Sequence, residues 1–150
     1  MEIGLLHLHN FLRWVILILL LVNIARHFAN SQKPYTALDK KLGLFLMISA
    51  HITLLIGLYQ VILGRFGWIH LPEGTSVMKD KFWRFYLVEH PVGMIISIVL
   101  ITIGKGVAKK AIPDTAKHKK AALLFTIALI IILATIPWPF REIVGRPLMP

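Results

Sequence analysis

The sequence predicts an all-α integral membrane protein, a four-helix up-and-down transmembrane bundle. Three observations predict it. Hydrophobic residues are 57% of the 150-residue chain and charged residues only 16%, against about 45–50% and about 25% in soluble domains. Four apolar stretches are each long enough, or nearly so, to cross about 30 Å of hydrocarbon as helices. Strands in those places would leave backbone groups unpaired in lipid. A chain of this length makes one domain, residues 1–150.

The first span runs from about Leu5 to Phe28, with WVILILLLVNIA as its densest part. No Lys or Arg precedes it and no small-residue cleavage pattern follows, so it is expected to be retained rather than removed as a signal peptide. The second span covers about 42–63 and the third about 82–104. The fourth covers about 119–136, densest from Ala121, and Pro137 and Pro139 of IPWPF end it. Asp114, a good N-cap, would start a longer version of that helix. The connections NSQKPYTALDKK, GRFGWIHLPEGTSVMKDK and KGVAKKAIPDTAKHKK are polar and rich in turn residues.

Charge placement predicts the orientation. The formal net charge is +10. The first and third connections hold ten basic residues, from Arg26 to Lys41 and from Lys105 to Lys120, opposed only by Asp39 and Asp114. The other side is nearly balanced. By the positive-inside rule both termini lie on the non-cytoplasmic side of a bacterial inner membrane. The excess charge then marks topology and contact with anionic membrane lipid. It is not a nucleic-acid surface, because the basic residues sit at span ends without clustered aromatic readers. The chain has no cysteine, which excludes disulfides, thiolate metal sites and thioether-linked haem.

Seven histidines stand out in so apolar a chain. His9, His51, His90 and His118 fall one to a span, while His7, His27 and His70 read as peripheral. An ionisable residue in a membrane helix is costly and is by default a functional hypothesis. At about 100° per residue, His9, Arg13, Ile16, Leu20, Asn23 and His27 form one stripe, expected to face the bundle interior. His51 shares a face with Met47, Leu55, Leu58 and Ile62, His90 with Tyr86, Met94 and Ser97, and His118 with Ala122 and Phe125. The small residues Gly93, Ser97 and Ala122 leave room beside such faces for a flat, apolar macrocycle.

Each histidine also has a purely structural reading. A membrane histidine can simply hydrogen-bond across helices. His118 sits among Lys117, Lys119 and Lys120 and could be a solvated interfacial residue. His90 precedes Pro91, which frees the carbonyl of Leu87. His9 with Arg13 could bind lipid phosphate. Against these stands the use of neutral imidazole as an axial haem ligand, one from each of two helices of a bundle. Topology places His9 and His90 near one side, with Arg13 as a cation for haem propionates. His51 and His118 form the other candidate pair, offset in depth.

The segments LLHLHNFLRWV, MISAHITLLIGLY, RFYLVEHPVGMIISIVLITIG and AKHKKAALLFTIALIIILATIPWPF cover all four spans. In them the chain resembles the small four-helix bacterial membrane proteins catalogued as cytochrome b. That resemblance implies one or two haem b groups, with His9, His51, His90 and His118 as ligands to haem iron. FLRWV and RFYLVEHP also bear a vaguer likeness to the small haem-containing membrane protoporphyrinogen oxidases.

The expected function is therefore electron carriage within or across the membrane, with a quinone or a redox protein as partner. An electron carrier fits better than a stand-alone enzyme. The alternatives are a haem-dependent oxidoreductase acting on a porphyrinogen or quinol, a zinc or copper site formed by His9, His51 and His90, and a structural membrane subunit.

Overall fold

The computed structural model describes residues 1–148. Its four long helices pack antiparallel as an all-α bundle, and each is long and apolar enough to cross a membrane. α1 spans Glu2–Ala29 and α2 spans Ala37–Leu63. α3 is continuous but changes type: α-helical over Lys81–Arg84, π-helical over Phe85–Glu89, and α-helical again over His90–Gly106. α4 spans Asp114–Thr135. Packing runs around a ring, α1 to α2 to α3 to α4 and back to α1, so α1 and α3 face each other across its diagonal.

Local chemistry sets the ends. α2 starts before Leu42 because Thr36 and Asp39 form a reciprocal capping box. α4 does begin at Asp114, but behind Pro113, and the Asp114 carboxylate instead accepts the Tyr35 N–H at 2.9 Å. The π-helical segment answers Pro91. A regular helix would drive the proline ring into the carbonyl four residues back. Here His90 N–H bonds the Phe85 carbonyl, five residues back, so the register has shifted just before the proline.

The core follows membrane rules. The α1 stripe faces inward as its phase predicts: Leu20 is 0% exposed, Asn23 1% and His27 1%. Leu46, Ile101 and Phe125 join Leu20 at the centre. Many large apolar side chains elsewhere point outward, onto the surface that lipid would cover. Leu55, on the His51 face, is 68% exposed.

Close approach of α3 to α4 depends on glycine. A Cβ on Gly93 would lie 2.5 Å from Thr135 Cγ2, and one on Gly104 would lie 2.7 Å from Phe125 Cε1. Thr135 cannot turn away freely, because its hydroxyl bonds the Ile131 carbonyl at 2.8 Å. Gly93→Ala is therefore expected to destabilise the bundle by about 1–3 kcal/mol through overpacking. Gly4→Ala, which meets nothing within 4 Å, is expected to leave stability unchanged or slightly raised. Thermal unfolding of both variants in detergent checks this.

Candidate functional site

The structure brings His9 of α1 and His90 of α3 together across the bundle diagonal. Their ring centroids are 6.3 Å apart and the ring planes meet at 62°. His90 Nδ1 lies 2.7 Å from the Thr135 carbonyl. A carbonyl only accepts, so Nδ1 carries the hydrogen and the neutral ring keeps a bare lone pair on Nε2. His9 Nδ1 is buried without a partner, and so is Arg13 Nε one turn further along α1. Arg13 also donates to the Leu148 carbonyl and lies over the Trp14 ring at 5.3 Å.

Residues 136–148 form an arm that folds back over this end. Its sequence explains the fold. Pro137 and Pro139 have no N–H, so the last carbonyls of α4 lack their usual backbone donors. Side chains replace them. Trp138 Nε1 donates to Leu133 at 2.8 Å, Arg141 to Ala134 at 3.1 Å, and His90 to Thr135. Tyr86 then holds the arm by donating to the Val144 carbonyl at 2.6 Å. The Arg146 guanidinium sits 4.9–5.4 Å from the rings of Phe66, Phe82 and Tyr86, a cation held by three aromatic faces.

The opposite, lysine-rich end holds a second histidine pair. His27 and His118 are both buried, with their Nδ1 atoms 2.9 Å apart. His118 Nε2 is 3.0 Å from the Lys33 carbonyl and must donate to it. In the neutral ring Nδ1 of His118 therefore accepts, and Nδ1 of His27 donates. That leaves His27 Nε2 as a lone pair, buried and unpartnered. Tyr35 stacks on both rings, with centroids at 5.5 and 5.0 Å. Beside them Asp39, 1% exposed, accepts from Arg26 at 2.9 Å and from the Thr36 N–H at 2.8 Å.

The arrangement differs from the sequence reading in two places. His27 is interior, not peripheral, and it is the partner of His118. The signal was its place on the α1 stripe, about five turns and ~27 Å from His9. His51 lies on the outer face of α2, its Nε2 3.1 Å from Thr102 Oγ1, and does not meet His118. Its apolar neighbours point to lipid, because a membrane bundle wears its largest hydrophobic side chains outside. Nor does His51 join His9 and His90, and no three His, Cys, Asp or Glu side chains converge as metal ligands among the described residues. No family model matches the chain, and no curated protein or solved structure is significantly similar to it.

Burial pushes the Tyr35 phenol up to about 12, and the Asp39 carboxylate adds to the shift. A raised folded value means the folded state holds its proton longer than the unfolded one. Stability from this site is therefore full below pH 10 and falls as pH rises from 10.0 towards about 12. Ultraviolet titration is expected to show one late phenolate that Tyr35→Phe removes, with a flatter stability profile in the variant.

Proposed function

We propose that the chain is a membrane haem b protein that carries electrons, and that His9 and His90 would hold the iron of one haem. The spacing of their rings carries the proposal. Two metal–imidazole bonds of about 2.0–2.1 Å, with about 1.1 Å from each nitrogen to its ring centre, would put the ring centroids about 6.2–6.4 Å apart. The observed separation is 6.3 Å. The donor chemistry agrees, since metal-bound histidine usually gives its other N–H to a carbonyl or carboxylate. His90 does so through Thr135. By contrast, His27 and His118 are hydrogen-bonded directly, with centroids at 5.2 Å, which leaves no room for a metal between their facing nitrogens.

In this reading the α4 end fixes the His90 ring, and His9 presents its imidazole from the facing helix. Arg13 has a buried nitrogen without a partner and supplies positive charge for propionates. The arm shields this end from water. A bound haem would supply one-electron transfer. The excess of Lys and Arg at the opposite end supports a reading in which the His9 end faces the non-cytoplasmic side of a bacterial inner membrane. The electron donor and acceptor, a quinone or a redox protein, belong to the same proposal.

The test is a reduced-minus-oxidised visible spectrum of the detergent-purified protein, with haem stoichiometry per chain. Sharp low-spin b-type bands and one haem per chain are expected. His9→Ala and His90→Ala should abolish those bands, while His27→Ala, His51→Ala and His118→Ala should keep them. A protein that stays colourless when haem is supplied, or bands that survive loss of His9 and His90, overturns the reading.

A further inference from the structure

His51 lies about midway along α2, on the surface that lipid covers. Its Nε2 is 3.1 Å from Thr102 Oγ1, and that oxygen is 2.7 Å from the Ile98 carbonyl. These two distances fix every hydrogen in the chain of bonds. The Ile98 carbonyl can only accept, so it takes the single hydroxyl hydrogen of Thr102. Thr102 Oγ1 must then accept, and His51 Nε2 carries the ring hydrogen. In the neutral ring Nδ1 is then a lone pair. It has no partner in the structure. In hydrocarbon, where water cannot serve, such an acceptor costs on the order of a few kcal/mol.

His51 and Thr102 line a groove of about 320 Å³ between α2 and α3. The groove walls are aliphatic: Leu54, Ile95, Ile98, Val99 and Ile103. Its polar lining is His51 and Thr102, and the Thr102 hydroxyl is already engaged, which leaves the second His51 nitrogen as the acceptor in an otherwise apolar slot. Electrostatic complementarity calls for a molecule apolar along its length with one polarised O–H at its end. Acyl chains offer no donor, and phospholipid headgroups lie about half a hydrocarbon thickness, ~15 Å, away. A hydroquinone with an alkyl tail has both parts. Its oxidised form, a quinone, has only acceptors and meets the lone pair with like polarity.

We propose that the His51–Thr102 groove is a binding site for a membrane-soluble hydroquinone, whose hydroxyl donates to His51 Nδ1. The site selects the reduced form, and it stands on its own geometry whether or not His9 and His90 hold haem.

The test uses the full chain in lipid nanodiscs with three probes: decylbenzohydroquinone under reducing conditions, its quinone, and its dimethyl ether, which has the same shape but no donor. Saturable binding of the hydroquinone is expected, about tenfold tighter than either control, the factor one hydrogen bond supplies. The ¹⁵N resonance of His51 Nδ1 should move with the hydroquinone and stay put with the ether. His51→Phe should erase the preference. Thr102→Val should weaken it, because the hydrogen on Nε2 is no longer fixed there, and this second variant keeps the test valid should His51→Phe misfold. Equal binding of the three probes overturns the proposal, as does a preference that survives in His51→Phe. Cross-links showing a second copy of the chain seated over His51 would overturn it too. Binding is read without any haem signal, so a colourless protein that still prefers the hydroquinone overturns the haem reading and leaves this one intact.

Discussion

Pro137 and Pro139 leave the last turn of α4 with carbonyls that few backbone donors can reach, and in a membrane that deficit has to be met from within the protein. Three side chains meet it, and one of them is His90. This hydrogen bond ends α4, ties α3 to α4, and sets which nitrogen of His90 keeps its lone pair. The π-helical turn before Pro91 and the absent side chain at Gly93 let α3 come close enough to make it. The arm that reaches Arg13 starts from the same two prolines.

The two ends of the bundle use histidine differently. At the lysine-rich end the hydrogens of His27 and His118 are assigned in sequence from the Lys33 carbonyl, and the pair packs against Tyr35 and Phe125. Such a pair locks α1 to α4 and to the first connection. At the other end His9 and His90 face each other without a hydrogen bond between them. The direct bond makes one pair structural, and its absence leaves the other free for a ligand. α1 carries a member of each pair on a single face, about five turns apart.

Much of this was legible in the sequence, for physical reasons. Hydropathy marks spans plainly because lipid tolerates no exposed backbone, and phase along α1 located the interior stripe down to Asn23 and His27. His27 reads as peripheral beside the four histidines that fall one to a span, yet its place on the α1 stripe is what buries it. His51 was harder to place. An apolar face reads as core in a soluble helix and as lipid contact here, so Leu55 and Ile62 gave the wrong cue. Pro91 signalled a local irregularity, and the structure resolves it as a shift to five-residue hydrogen bonding. The arm was not legible. It depends on Tyr86, Arg141 and Arg146 meeting residues far away in sequence, and IPWPF by itself says only that a helix stops.

The inclination of the two imidazole planes offers the most direct test of the proposed centre. Ferric haem between imidazoles at a steep angle gives a strongly anisotropic low-spin resonance, whereas near-parallel planes give a more rhombic one. Low-temperature electron paramagnetic resonance of the oxidised protein is therefore predicted to show the strongly anisotropic signal, provided haem binding keeps the 62° inclination of the His9 and His90 rings. A high-spin signal, or an unchanged low-spin spectrum in His90→Gln, would contradict a haem held between these two residues.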